Sequence, residues 1–301
     1  MKLSKQKLAI IGLIIANIIW GAASPIFKWS LQDIQPFTLA FLRFSIASLL
    51  FLPFVYKNIK IKKQDIPILI IMGLLGVTAH ITLFFFGLRL TSSINAPIIA
   101  SAGPVFLIIA GIIFFKEKPG KRKIIGSILG FLGLLLIIIT PIVEKGFQSS
   151  FLGDAMLIVA TLVNVWFVVE IKKKIPHYPT LALVFWVFVF GSLGFLPFFG
   201  LEVAQYGFLT GINMQGIIGL VFGIFFSSFA AYALFFLSIR YLMLLDVGIF
   251  TYLDPIVAIM IAVPLLHEIP TPIYVVGSLF VFLGIYIAEK RVPYHPIHRL
   301  R

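Results

Sequence analysis

Ten long apolar runs occupy almost the whole of this 301-residue chain, and the last five runs repeat the first five. The repeat is clearest near the end of each half, where three pairs of residues are each 151 positions apart: Pro104 and Pro255, Glu117 and Glu268, Gly133 and Gly284. Because five is odd, a duplicated five-span unit enters the membrane upside down relative to its twin. Inverted repeats are typical of proteins that open alternately to the two sides of a membrane.

The composition excludes a soluble globular domain. Hydrophobic residues make up 60% of the chain, charged residues only 12%, and the mean hydropathy is +1.10. Since one membrane crossing takes about 20 apolar residues, a chain of this length accommodates about ten crossings joined by short loops. The absence of cysteine excludes disulfides, thiolate nucleophiles and cysteine-based metal sites.

We therefore predict an all-α membrane protein in which ten transmembrane helices form two inverted five-helix repeats. The two repeats cover residues 8–143 and 153–288. The predicted spans are 8–27, 37–56, 66–88, 94–115, 124–143, 153–171, 181–200, 215–239, 245–266 and 272–288. Other repeated features support the duplication, such as Phe84-Phe85 with Arg89, which recurs as Phe235-Phe236 with Arg240.

The positive charges are distributed very unevenly between the predicted loops. With the N-terminus in the cytoplasm, 20 of the 24 Lys and Arg residues fall in cytoplasmic segments, whereas Lys28, Arg89 and Lys145 fall outside and Arg43 lies within a span. Cytoplasmic loops of membrane proteins carry such an excess. The bias predicts a multi-pass protein of the plasma or inner membrane with both termini in the cytoplasm. It explains the net charge of +13 without nucleic-acid binding.

Several short motifs resemble one transporter superfamily. They are Trp20-Gly21-Ala22-Ala23-Ser24-Pro25 in span 1, Arg43 in span 2, the run Leu90 to Ala96, and the paired Pro, Glu and Gly positions of the two halves. Together they resemble the EamA-type branch of the drug/metabolite transporter superfamily, over nearly the whole chain. The second half departs from the pattern, because Asn164-Val165-Trp166 lacks the Gly-Ala-Ser that follows Trp20.

The resemblance implies a fold in which spans 1–4 and 6–9 surround a central path and spans 5 and 10 lie outside it. It also implies a secondary transporter of small metabolites, such as amino acids, nucleobases, sugars or toxic compounds, mostly acting in efflux. Pro104 and Pro255 would then bend spans 4 and 9 around the path, although each proline is also compatible with a packed kink.

Ionisable side chains inside the predicted spans are the main candidates for a binding site, because burying charge in the bilayer is costly. At 1.5 Å per residue, Arg43, His80 and Asp254 lie about 9, 12 and 18 Å from the outer ends of their spans. We expect Arg43 and Asp254 to face the central path, with a structural role or a helix cap as the alternatives. For His80, the structural alternative, a hydrogen bond to a backbone carbonyl, is favoured.

Further polar or aromatic residues complete the predicted substrate-binding set: Trp20, Asn95, Ser101, Asn164, Trp166, Tyr232 and Tyr252. Glu117 and Glu268, at span ends, are interpreted as helix-end or gating residues rather than substrate contacts. Gly126, Gly130 and Gly133 form a small-residue face on span 5 that packs within the monomer or, alternatively, contacts a second copy in a homodimer.

Neither an enzyme nor a nucleotide-driven pump fits the sequence. It contains no H-E-x-x-H, G-x-S-x-G or G-x-x-x-x-G-K-S/T motif, and no cofactor is expected. The predicted partners are a small-molecule solute and the lipid bilayer, and transport is either coupled to a proton or ion gradient or facilitative. A membrane channel or receptor without active transport is the alternative hypothesis.

The predicted topology can be tested by single cysteines, since the chain has no native cysteine. Cysteine at Lys118 or Lys173 should resist a membrane-impermeant maleimide in intact cells, whereas cysteine at Lys145 should react. The reagent reaches only the outer face, where Lys145 is predicted to lie, whereas Lys118 and Lys173 are predicted to lie in the cytoplasm. Strong external labelling at position 118 would contradict the topology.

Overall fold

The computed structural model describes residues 4–90, 99, 103–145, 151–266 and 272–289, and no β-strand occurs among them. In hydrocarbon every backbone polar group has to be paired within the protein, and a helix achieves this inside one segment. Seven helical stretches are long and apolar enough to cross a membrane: Lys5–Ser30, Pro36–Asn58, Lys63–Leu90, Ala155–Lys174, Thr180–Tyr206, Met214–Ile239 and Asp246–Leu265. They coincide with predicted spans 1–3 and 6–9.

The helices follow one another along the chain with short connections. Their bounds are α1 Lys5–Ser30, α2 Pro36–Val55, α3 Ile66–Gly73, α4 His80–Leu90, α5 Gly103–Phe115, α6 Lys121–Lys145, α7 Phe151–Lys174, α8 Thr180–Tyr206, α9 Met214–Val221, α10 Tyr232–Ile239, α11 Leu244–Phe250, α12 Leu253–Leu266 and α13 Pro272–Glu289. Helices α5, α6 and α13 occupy the remaining three predicted spans. The ten-span count and the inversion of the repeats stay predictions.

Two of the spans contain π-helical segments, which apolar periodicity did not predict. Leu74–Ala79 joins α3 to α4, and Phe222–Ala231 joins α9 to α10. They occupy the third and the eighth predicted spans, which are equivalent positions of the two repeats. Such widened turns often occur at functional sites, because they disturb the regular pairing of backbone groups.

Span 9 is interrupted rather than merely bent. Helix α11 ends at Phe250, the turn residues Thr251 and Tyr252 follow, and α12 begins at Leu253. Asp254 therefore lies in the first turn of a new helix, not in the middle of a continuous one. The predicted bend near Pro255 thus takes the form of a helix break just before that proline.

Glycines allow the helices of the two halves to come into backbone contact. A Cβ atom at Gly191 of α8 would lie 2.7 Å from Val77 Cβ, and one at Gly73 would lie 2.6 Å from Phe190 Cβ. The Thr78 hydroxyl donates a hydrogen bond of 2.8 Å to the Gly191 carbonyl across this contact. Small residues at such crossings increase the packing area where hydrophobic burial gives no driving force.

The small-residue face of α6 packs within the chain. A Cβ atom at Gly284 of α13 would lie 2.5 Å from the Gly126 carbonyl oxygen and 2.6 Å from the Gly130 nitrogen. Helices α6 and α13 pack mainly against each other. The face thus has an intramolecular partner, as the first of the two interpretations expected.

Carboxylates bind the N-terminal ends of α2 and α9, at the side of the bundle where α1 and α8 end. Asp33 Oδ2 accepts hydrogen bonds of 2.9 Å from the backbone nitrogens of Asn213 and Gly216. Glu202 accepts from the backbone nitrogens of Phe37 and Thr38, at 3.1 and 2.7 Å. Negative charge is favourable at helix N-termini, which explains why both carboxylates sit there.

The crossing of α3 and α8 predicts a difference between two glycine substitutions on one helix. Gly191→Ala should destabilise the protein by about 1–3 kcal/mol, because the added methyl overlaps Val77. Gly200→Ala, where no atom lies within 4 Å of the added Cβ, should cause no loss. Thermal unfolding in detergent micelles measures both, and equal effects would contradict this packing.

Candidate functional site

A cavity of about 190 Å³ lies between the two halves of the chain. Its walls come from α1, α2, α4 and α5 of the first half and from α7, the π-helical segment Phe222–Ala231, α10 and α12 of the second. Residues of the turn between α11 and α12 also reach it, through Thr251. The helix break in span 9 therefore faces the cavity.

Six of the ten predicted binding residues border this cavity: Trp20, Arg43, His80, Asn164, Tyr232 and Asp254. Two others lie elsewhere. Trp166 packs against the hydrophobic core, and the Tyr252 ring is buried against α6, where a Cβ atom at Gly130 would lie 2.7 Å from Tyr252 Cδ2. Asn95 and Ser101 lie outside the described residues, as does Glu268. Substrate binding by the ten residues of the predicted set stays a prediction.

Arg43 is the most buried charge at the cavity, with 2% of its surface exposed. Its Nε donates to Ser228 Oγ at 2.7 Å, and its Nη2 donates to Ser227 Oγ at 3.1 Å. The guanidinium carbon lies 4.6 Å from the centroid of the Phe27 ring and 4.7 Å from that of Phe44. Aromatic faces and hydroxyls thus stabilise the cation by cation–π attraction and hydrogen bonds.

One edge of this guanidinium remains available. Nη1 is buried and has no hydrogen-bond partner among the described residues, and no described carboxylate forms an ion pair with Arg43. An arginine carries donors on all three nitrogens and stays charged in proteins. The free edge can therefore receive an anionic oxygen, although the bidentate contact through Nε is already occupied by serine.

The π-helical segment Phe222–Ala231 explains how the serines reach Arg43. Gly223 at its start leaves room for the approach, since a Cβ atom there would lie 3.2 Å from Phe27 Cε1 and 3.4 Å from Arg43 Cδ. The Ser227 carbonyl accepts a hydrogen bond of 3.2 Å from Trp20 Nε1 instead of serving only its own helix. This π-helical segment of the second half therefore forms hydrogen bonds with side chains of both α1 and α2.

Asp254 presents a second unpaired polar group. Its Oδ1 is buried and has no hydrogen-bond partner among the described residues, while its backbone nitrogen donates to the Thr251 carbonyl at 3.1 Å. The Oδ1 atom thus makes no helix-capping hydrogen bond to a described residue. Helix α1 passes very close, since a Cβ atom at Gly21 would lie 2.7 Å from the Asp254 carbonyl oxygen.

His80 is the third such group. It is the first residue of α4, directly after the π-helical segment Leu74–Ala79, and its Nδ1 is buried without a partner among the described residues. Its ring centroid lies 6.5 Å from that of Phe84. The structural hydrogen bond that was expected as the alternative role does not form through this nitrogen to any described residue.

Aromatic side chains form much of the remaining wall. The centroid of the Trp20 ring lies 5.0 Å from that of Tyr232 and 4.9 Å from that of Phe235. Both pairs are inclined, which is a favourable arrangement for aromatic rings. Phe27, Phe84 and Phe236 also line the cavity, and they were absent from the predicted set, as was Ser227. The repeated Phe84-Phe85 and Phe235-Phe236 pairs were the sequence signal that could have identified part of this wall.

The arrangement can hold a small solute with polar ends and an apolar body. A guanidinium edge, a carboxylate and a histidine nitrogen come from three different helices, and aromatic rings lie between them. Pockets that are mostly apolar with a few directed polar groups are typical of small-molecule sites.

Comparisons with known proteins identify a family and several related transporters. The model of the EamA-like transporter family matches the chain twice, at residues 7–139 and 151–289. An uncharacterized transporter of Archaeoglobus fulgidus is 28% identical over 272 residues, covering 90% of this chain and 95% of the relative. The uncharacterized transporter YetK of Bacillus subtilis is 25% identical, covering 96% and 89%.

Two more matches concern the fold and a named activity. A probable terminal-alkyne amino-acid exporter of Streptantibioticus cattleyicolor is 24% identical, covering 97% of this chain and 95% of that protein. A protein known from a crystal structure superposes with a TM-score of 0.74 at 14% identity, covering 93% of this chain and 97% of that one, which supports the fold alone. The chain is a multi-pass membrane protein and belongs to the EamA-like transporter family.

Proposed function

We propose that this protein is a secondary carrier that moves a small metabolite across the cytoplasmic membrane by alternating access. The central observation is that Arg43 Nη1, His80 Nδ1 and Asp254 Oδ1 are buried at one cavity without partners among the described residues. A buried polar group without a hydrogen bond costs about 1–3 kcal/mol, and more when it is charged. A polar solute in the cavity would supply the missing partners.

The cavity favours an amino-acid-like solute. Its carboxylate would bind the free edge of Arg43, since charged hydrogen bonds of this kind are short and strong. Its amine would bind Asp254, the described carboxylate on the cavity wall. The aromatic residues Trp20, Phe84 and Phe235 would contact the apolar body, so drug-like amphiphiles with the same charges are compatible with the site.

Export is the proposed direction. One relative is named a probable amino-acid exporter, and it matches nearly the whole chain. The sequence has no phosphate-binding loop for ATP, so a proton or ion gradient, or the gradient of the solute itself, would drive transport. A channel or receptor is the alternative function, but paired halves around one site favour a carrier.

Counterflow distinguishes the carrier from the channel. Proteoliposomes loaded with a mixture of unlabelled L-amino acids should transiently accumulate a labelled amino acid above equilibrium, because a carrier exchanges solutes across the membrane. The measurement is labelled solute retained with time, against liposomes without protein. Equilibration without an overshoot for every amino acid that enters would favour a channel.

Substitutions at the two charges should abolish transport without unfolding the protein. Arg43→Leu and Asp254→Asn should lower the initial counterflow rate by at least about 100-fold, since buried charged contacts contribute about 2–5 kcal/mol. Arg43→Lys should also be strongly impaired, because lysine lacks the planar fork held by Ser227 and Ser228.

Arg89→Lys is the matched control for these variants. Arg89 lies at the end of α4 and donates to the Leu31 carbonyl at 2.9 Å, away from the cavity. The Arg89→Lys variant should transport at close to the rate of the unmodified protein. All variants should elute as monodisperse protein in size-exclusion chromatography. Normal transport by both Arg43→Leu and Asp254→Asn would refute this site.

A further inference from the structure

An ion pair joins the two halves of the chain one helical turn beyond Val168, a residue of the cavity wall. Glu117 Oε1 lies 3.1 Å from Lys172 Nζ, and the side chains are only 8% and 16% exposed. Glu117 follows α5 of the first half, whereas Lys172 lies in the last turn of α7 of the second half. The pair therefore joins two helices that both line the cavity, from opposite halves of the chain.

Both partners also bind the backbone at the start of α11. Glu117 Oε1 accepts a hydrogen bond of 2.8 Å from the Leu244 nitrogen, and Lys172 Nζ donates one of 2.8 Å to the Leu242 carbonyl. Three segments thus converge on two side chains. Lys172 Nζ also lies 5.2 Å from the centroid of the Phe115 ring at the end of α5.

A turn directly after α5 determines the position of Glu117. Lys116 has a positive φ of 51°, which turns the chain directly after α5, and the Glu117 nitrogen donates to the Gly111 carbonyl at 3.1 Å. A Cβ atom at position 111 would lie 2.5 Å from Glu117 Oε2, so the carboxylate lies where only glycine leaves room. A left-handed residue directly after a helix, with a backbone hydrogen bond back to that helix, resembles the Schellman helix ending, and here it places the Glu117 side chain against Lys172 of α7.

A second ion pair reinforces the same junction. Lys123, at the start of α6, pairs with Asp246 in the first turn of α11. Asp246 also accepts a hydrogen bond of 3.3 Å from the Met243 nitrogen. The first half thus holds the start of α11 at two neighbouring points, Leu244 through Glu117 and Asp246 through Lys123.

We propose that Glu117 and Lys172 form a gate latch, which holds the cavity closed at this end and separates when the protein opens there. This inference rests on the proposed carrier function. The positive-inside prediction assigns this end to the cytoplasm. A shielded pair that is remade in each cycle biases the equilibrium between two states, because each charge regains water when they part.

The latch can be tested without knowledge of the solute, since the chain has no native cysteine. Thr161→Cys places a reporter on the cavity wall of α7. A membrane-impermeant maleimide is then applied to right-side-out and to inside-out vesicles, and the labelling rates are compared with and without latch substitutions. Lys172→Met removes the charge but keeps the stem over Phe115. Glu117→Gln keeps an acceptor for the Leu244 nitrogen.

Both substitutions should raise the labelling rate of the reporter in inside-out vesicles roughly tenfold, the shift expected when one state loses a shielded charged hydrogen bond. The matched control is Lys173→Met. Lys173 pairs with Glu170 on its own helix and is 40% exposed, so its loss should leave the rate unchanged. Equal rates for Lys172→Met, Glu117→Gln and the control would overturn the latch.

A cross-link covers the case in which these variants fold poorly. Cysteines at positions 117 and 172, joined by a short bifunctional maleimide, should prevent later inside-out labelling of the reporter, whereas uncrosslinked protein should label. Unchanged labelling after cross-linking would also overturn the proposal. Accessibility that responds to the latch in a protein without counterflow would instead refute only the carrier function.

Discussion

The inability of hydrocarbon to hydrogen-bond the backbone is the constraint on which this structure depends. It enforces helices throughout the described part of the chain, and it makes each departure from regular helix informative. The departures concentrate around one place. The π-helical segments Leu74–Ala79 and Phe222–Ala231 and the break at Thr251 and Tyr252 all lie next to residues of the cavity. Irregular backbone within spans 3, 8 and 9 thus lies beside the cavity.

The contacts of Arg43 show how a buried cation is stabilised at this site without a carboxylate partner. An isolated buried cation is strongly unfavourable, yet here two serine hydroxyls and two phenylalanine faces surround it. A carboxylate in the same position would have neutralised the charge and filled the site permanently. Hydroxyls and aromatic rings leave the positive charge uncompensated, so the remaining edge of the guanidinium keeps its attraction for an anion. The same contacts join α2 to the second half of the chain.

The sequence predicted the class of fold and part of the site, for identifiable physical reasons. Charges inside apolar runs are costly, so Arg43, His80 and Asp254 stood out, and all three border the cavity. Ser227 did not, because a serine can bond its own helix and carries no such cost. Tyr252 and Trp166 were chosen for their residue type, but the direction of an aromatic side chain depends on packing that a single sequence does not contain. Pro255 indicated a bend, and only the structure located the break before it.

The interrupted ninth span connects the cavity with the Glu117–Lys172 and Lys123–Asp246 ion pairs over a short distance along the chain. Leu244, the first residue of α11, is bound by Glu117, and Asp254, ten residues later, borders the cavity. Helix α11 has only seven residues, and the turn at Thr251 separates it from α12. Under the proposed function, a solute at Asp254 and the latch at Leu244 act on two ends of one small rigid segment with a hinge between. A solute that draws Asp254 inward therefore changes the free energy of the latch, and breaking the latch changes the affinity for solute by the same factor. Such reciprocal coupling is what an alternating-access carrier requires of its gate.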